Sequence, residues 1–338
     1  MPLRYSSRYF LLSVVAFLAC PATSVRADVS IESVEVGIGQ VTRPGVWTCL
    51  NVQLVSTESV ECHIEATAAD PTGNPATFPS NKLKLAANRE TAASLFFMPG
   101  RLEETVTLKV ISLDGNVLAS RRLTSAEVAS EETDFTIVQH TVPIWTVAGT
   151  IGSSAPGKSD QQSLQKAVTA RGVHLTSLKS RALPTHWRTY SATSTVFLAG
   201  DFDLTAEQSA ALNQWVLNGG HVVAVAGDRV EELTSSTIAD WLLDDQEVVA
   251  SSLSDLSGLE AYAKSSFRIP IASRIKGSIN RSRDGADLVA GVEGPLLTRS
   301  SHGFGRITIL GVDLDRAPLS RWRALASFVA TVADLPPV

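Results

Sequence analysis

Residues 195–228, TVFLAGDFDLTAEQSAALNQWVLNGGHVVAVAGD, constrain the fold more than any other stretch of this chain. A short apolar run over 196–199 gives way to helical spacing at Leu204, Ala211, Leu212, Trp215 and Val216, and a second apolar run covers 222–226. Thr205, followed by Glu207 and Gln208, is a helix start, and Gly219-Gly220 supplies the positive-φ stop that residues with a Cβ resist. Two apolar strands joined by a helix predict a right-handed βαβ unit in a buried parallel sheet. Such units carry their sites at the carboxyl ends of the strands. Those ends are Gly200-Asp201-Phe202-Asp203 and Gly227-Asp228-Arg229.

The flanking sequence divides by period. Over 28–123 short strands are expected at 29–36, 46–55, 60–68, 82–85, 92–98, 105–112 and 117–122. Breaks fall at Arg43-Pro44-Gly45, at 70–75, at Pro99-Gly100 and at Asp114-Gly115-Asn116. So many short strands without a helix predict an immunoglobulin-like β-sandwich domain, with Trp47 in its core. Residues 124–134 are small and acidic, which suits a linker. From 135 to 335 strands alternate with helices, predicting a flavodoxin-like, doubly wound α/β domain. Expected there are strands at 142–149 and 173–178, helices at 161–170, 235–243 and 320–333, a loosely helical Ser-rich stretch at 250–266, and a strand pair at 296–301 and 306–312 around His302-Gly303-Phe304-Gly305.

Arg4 and Arg8, an apolar run over 10–19 and Val25-Arg26-Ala27 have the order of a secretory signal peptide covering 1–27. Cleavage after Ala27 is favoured over lipidation at Cys20, with a retained anchor as the other outcome. The expected location is therefore periplasmic or secreted, with membrane association only through this segment. Cleavage removes three arginines and no acid from a chain of formal charge −5, leaving −8. That balance excludes a basic nucleic-acid groove. Cys49 and Cys62 fall on opposite faces of neighbouring strands, Cys49 outward, so two free thiols are expected despite an oxidising compartment.

Several patterns could carry chemistry. Gly152-Ser153-Ser154-Ala155-Pro156-Gly157-Lys158-Ser159 fits the phosphate-cradling G-x-x-x-x-G-K-[ST] loop, with Gly152, Gly157, Lys158 and Ser159 as contacts and Asp201 as a second magnesium ligand. Against it stand the export signal, the charge of Asp160 at the helix start and a polar first helical turn. A nucleophilic hydrolase needs Ser or Cys on a tight strand-to-helix turn, and the turn 224–228 offers neither. Asp201, Asp203, Asp228 and Arg229, with Asp313 and Asp315, stand at strand ends as candidate ligand-binding groups; the plainer expectation is that these acids cap helices and solvate loops. His186 and His302 lie in loops and are candidates for a common cleft. No two of the six histidines have metal-ligand spacing and no Cys-x-x-Cys occurs, so no metal or cofactor is expected.

Leu198-Ala199-Gly200-Asp201, Leu204-Thr205-Ala206-Glu207-Gln208 and the run from Trp215 through Gly219-Gly220-His221 to Gly227 together resemble the class I glutamine amidotransferase-like fold. Gly303-Phe304-Gly305-Arg306 leading to Asp313, and Arg43-Pro44-Gly45-Val46-Trp47-Thr48 in the sandwich, are similar to the same group, whose members with this pattern are largely bacterial envelope proteins. Amidotransferases end the strand after the helix in a nucleophilic cysteine; Val225 stands there. The resemblance thus implies a pseudo-enzyme without catalytic residues, used to bind an envelope protein partner or to support assembly. The alternatives are a nucleotide-binding protein using the glycine-rich loop, or an atypical hydrolase using the strand-end aspartates.

Overall fold

Alternation of inward and outward side chains makes the first part of the chain into two facing sheets. The computed structural model describes residues 28–127, 130–151, 167–244, 246–270 and 273–335. β1 (Val29–Val36), β3 (Thr48–Ser56) and β7 (Glu90–Phe97) form one antiparallel sheet in the order β1-β3-β7. The other runs β2-β10-β9-β8-β4-β5 and comprises β2 (Val41–Thr42), β4 (Val60–Ala69), β5 (Pro75–Pro79), β8 (Thr105–Ser112), β9 (Val117–Ala126) and β10 (Phe135–Ile137), with β6 (Leu83–Leu85) also paired to β4. Leu50, Val52 and Leu54 from one sheet meet Ile64, Ala66, Val106, Leu108 and Val110 from the other in one core.

Four expectations change here. β5 starts at the last residue of the break at 70–75 and runs over residues expected in no strand; it is an edge strand, where Pro75 and Pro79 need no ladder partner on their outer side. Trp47 is not core: it is 38% exposed, just ahead of β3, edge-on to Phe78 at 5.9 Å. The linker 124–134 is partly sheet, because β9 continues through Ala126 and Thr124 N donates to Asp134 Oδ2 at 2.8 Å. Cys49 and Cys62 are free and Cys62 faces inward as expected, yet the outward-facing Cys49 is buried as well. Cys62 lies in the core between the sheets, whereas Cys49, on the outer face of β3, lines a cleft beneath the following part of the chain.

The second part is built on a sheet of order β12-β11-β13-β14-β19-β18-β17. β11 (Ile144–Gly149), β12 (His174–Leu178), β13 (Thr195–Ala199), β14 (His221–Val225) and β19 (Gly305–Leu310) are parallel, while β17 (Ala286–Ala290) and β18 (Pro295–His302) extend the sheet antiparallel. The parallel strands follow the 2-1-3-4-5 order of doubly wound sheets. Every residue of β13 and β14 is buried, as strands covered on both faces require. Helix Ala206–Leu217 covers one face through Leu212, Trp215 and Val216; helix Leu325–Val332 covers the other through Phe328 and Val329.

β15 (Gln246–Leu253) pairs antiparallel with β16 (Ile275–Ser282), replacing the loose helix expected at 250–266. Only Ser257–Tyr262 of that stretch is helical. Buried Gln246 sits at the start of β15, where it donates to Ser300 Oγ at 2.9 Å and accepts from Thr298 Oγ1 at 2.7 Å. Of the helix expected at 235–243 only Ala239–Leu242 is helical, with a further short helix, Val230–Thr234, ahead of it, and the terminal helix is shorter than expected, with a 3₁₀ turn at Leu319–Arg321 before it.

The two parts meet along a packed seam. Val41, Val138, Ile144 and Ala192 form a small cluster there, and Ile38 reaches into the core beneath helix Ala206–Leu217. Arg43 Nη2 donates to Val142 O at 2.5 Å and to Ser194 Oγ at 3.1 Å. Among the described residues no helix is long and apolar enough to cross a membrane.

Candidate functional site

The carboxyl ends of the parallel strands are occupied by the protein's own charges. Arg229, after β14, lies between two acids that follow β19: Nη1 is 3.2 Å from Asp313 Oδ1 and Nη2 is 2.9 Å from Asp315 Oδ2. Asp228 N donates to Asp313 Oδ2 at 3.2 Å, and Arg316 reaches Asp228 Oδ2 at 2.5 Å. The guanidinium fits because Gly200 is glycine: a Cβ there would lie 1.7 Å from Arg229 Nη1, at a φ of +72° that side chains disfavour. Burial works against the Arg229 cation, but Asp315, Asp313 and Asp228 outweigh it and hold the group above its ordinary value. Burial raises the Asp313 carboxyl to about 6; Arg229 opposes this, and the like charges of Asp228 and Asp315 reinforce it.

The β13 end is bound up in the same manner. Asp201 accepts from Ser180 N at 2.9 Å and from Ser180 Oγ at 2.5 Å. Asp203 forms a bidentate pair with Arg181, both contacts at 2.7 Å. Asp201, Asp203, Asp228 and Arg229 are therefore brought to one end of the sheet, as the βαβ reading expects, and each is spent on an internal contact. Two shallow cavities remain beside them, about 320 Å3 lined by Asp201, Asp203 and Glu232, and about 230 Å3 lined by Asp228, Asp313, Lys276 and Arg316.

The two loop histidines do not share a cleft. His302 ends β18 at the amino end of the neighbouring parallel strand, with Nε2 2.7 Å from Asn213 Oδ1 and its ring 5.8 Å from Trp241. His186 lies on Phe96 of β7, ring centroids 4.5 Å apart, and its Nδ1 accepts from Arg188 N at 3.2 Å. Burial and the neighbouring Arg188 charge both lower its pKa. Gly152, Gly157, Lys158 and Ser159 lie outside the described residues. Val225 is buried in the sheet core. Burial raises the thiol pKa of both Cys49 and Cys62, the reverse of what an activated nucleophile needs. Among the described residues no cluster of three or more His, Cys, Asp or Glu side chains could hold a metal ion.

Sequence reasoning missed a cleft between the outer face of β1-β3-β7 and the loop after β12. It encloses about 630 Å3 and is lined by Asn51, Ser94, Phe96, Thr176, His186 and Thr189, among others. Its two walls come from segments 80 or more residues apart, so no local pattern announces it.

No protein-family profile and no curated protein sequence matches the chain. Among solved structures, the chain is similar to the GH42 β-galactosidase Gan42B, at 12% identity and a TM-score of 0.34 over 58% of this chain and 31% of that one. It thus spans less than a third of the galactosidase. A putative ThuA-like protein from Bacteroides uniformis matches at 10% identity and a TM-score of 0.35, over 57% of this chain and 92% of the other. A Niemann-Pick type C2 protein from the Japanese carpenter ant aligns with 28% of this chain, at 9% identity and a TM-score of 0.20. At these scores the likenesses bear on neither activity nor substrate.

Proposed function

We propose that this chain is an exported, non-catalytic binding protein of the bacterial envelope. In this reading an immunoglobulin-like sandwich is followed by an amidotransferase-like α/β domain that has lost its nucleophile and holds a protein partner. The observation that carries the proposal is the state of the strand ends. An enzyme of doubly wound architecture keeps reactive groups free at that crevice to meet a substrate. Here Arg229 is paired with Asp313 and Asp315, Arg316 with Asp228, and Arg181 with Asp203 instead. What faces solvent is a mixed-charge rim: the Arg181 and Asp203 side chains are 60% and 67% exposed, and the Arg316 side chain is 49% exposed. Rims of this kind set orientation and association rate in protein contacts.

Two measurements on the purified protein test the proposal. Incubation with glutamine and with nucleoside triphosphates is expected to release neither ammonia nor phosphate above background. Turnover that disappears in Lys158→Ala or Asp201→Asn would establish one of the enzyme alternatives in its place. Affinity capture from envelope extracts, quantified by mass spectrometry, is expected to recover a partner at near-equal stoichiometry. Reversing the rim with Arg181→Glu and Arg316→Glu is expected to lower that recovery several-fold, and unchanged recovery would place the contact elsewhere.

A further inference from the structure

We propose that the cleft between the β1-β3-β7 sheet and the loop after β12 is a binding site for a neutral saccharide of one or two rings. It shares no lining residue with the strand-end cavities, so it stands or falls independently of the partner-binding proposal. Its volume of about 630 Å3 lies in the range of small-molecule sites, roughly 300–1,000 Å3.

The site is built before any ligand arrives. Its loop wall is tied down at successive residues: Gln208 Nε2 donates to Leu183 O at 2.7 Å, Tyr190 Oη donates to Pro184 O at 3.0 Å, and the His186 ring rests on Phe96. At the opposite corner Gly39 packs so closely on Thr176 that a Cβ would lie 2.3 Å from its methyl group. A wall held in this way loses little freedom when a ligand binds.

The lining selects the chemistry. Asn51, Ser94, Thr176, Thr185 and Thr189 bring amide and hydroxyl groups to the lining, whereas among the described residues no Lys or Arg lines the cleft and Glu35 is the one carboxylate. An anionic ligand therefore finds no Lys or Arg to pair with among these lining residues. Asn51 spends its oxygen on Ser94 Oγ at 2.8 Å and the Cys49 thiol at 3.4 Å, and no contact among the described residues engages its amide nitrogen. Beside these groups the Phe96 ring, with His186 against it at 4.5 Å, supplies apolar wall. Many hydroxyl partners, a small apolar wall and no Lys or Arg among the described lining residues together match a ring with hydroxyls at its edge and C–H groups on its face.

Cellobiose, maltose and N,N′-diacetylchitobiose serve as probes of the full chain, with glucose 6-phosphate as a charged comparator, followed by calorimetry. N-ethylmaleimide labelling of Cys49, resolved peptide by peptide, reports occupancy of the cleft, and Cys62, in the sandwich core, reports global opening. Phe96→Ala removes the apolar wall, whereas Ser94→Trp, at an exposed edge-strand position, fills the space. The expected result is saturable binding of at least one neutral disaccharide, slower labelling of Cys49 with Cys62 unchanged, and affinity about tenfold weaker or worse in both variants. Absence of saturable binding by all three sugars, equal affinity in both variants, or tighter binding of glucose 6-phosphate would overturn the proposal.

Discussion

Arg229 is the side chain on which the strand ends depend. Its own side chain is 13% exposed, between carboxylates that are 7% and 10% exposed. Removing one partner from a buried ion group leaves uncompensated charge, which costs about 3–5 kcal/mol. Arg229→Met is expected to lose stability on that scale in urea unfolding at pH 7, and to recover part of it as the pH falls and Asp313, which Arg229 no longer holds down, takes up a proton. Asp313 also gives the wild-type protein a signed pH dependence. Its folded pKa, about 6, stands above the ordinary 3.8, so the fold favours the protonated acid. That contribution is fully present below about pH 4 and is lost as the pH rises through 6. Asp313→Asn keeps the shape and removes the titration. The stability difference between wild type and this variant is therefore expected to change between pH 4 and 6 and to stay flat above pH 7, as read from urea midpoints across that range.

Helix Ala206–Leu217 shows what a local pattern encodes and what it leaves out. The capping box is complete: Thr205 Oγ1 accepts from Gln208 N at 3.2 Å, and Gln208 Oε1 accepts from Thr205 N at 2.9 Å. Both residues and their spacing are visible in the sequence, as are the apolar strands on either side. A second role of Gln208 is not visible, because its amide nitrogen also holds the carbonyls of Arg181 and Leu183 in a separate loop. Thr205→Ala is expected to cost about 1 kcal/mol, as a lost cap. Gln208→Ala is expected to cost roughly twice that in urea unfolding, since it also leaves buried carbonyls without a donor. The same distinction explains the other departures. β15 is hidden because its serines read as part of a loose helix and its partner β16 begins more than twenty residues later. Residue type puts Trp47 in the core, whereas its place just before β3 turns it outward against Phe78 and Arg188. The strand-end acids were placed by the βαβ pattern, but the arginines that neutralise them were not paired with them, since an ion pair has no signature in spacing.

For the molecule as a whole, the seam decides whether the two parts unfold together. Ile38 packs in the core of the second part, and Arg43 crosses to Val142 and Ser194. Burial lowers the Arg43 pKa, so the cation is held there at a cost that its carbonyl and hydroxyl partners offset. Arg43→Ala is expected to loosen this join. Limited proteolysis should cleave several-fold faster near residues 139–143, and the fluorescence and circular-dichroism transitions, expected to coincide in the wild type, should separate in the variant. Transitions that stay coincident, with unchanged cleavage, would show that the apolar cluster alone holds the parts together.

Gly200 and Gly227 leave room at the strand ends that Arg229 and Asp313 then fill. The arginine behaves as a counterion on a tether: its local concentration is fixed by the chain, so dilution cannot release it. Salt screens a buried pair of this kind far less than an exposed one. The strand ends thus keep their charge balance across changes in the surrounding electrolyte, and a competing cation would have to displace a covalently attached one.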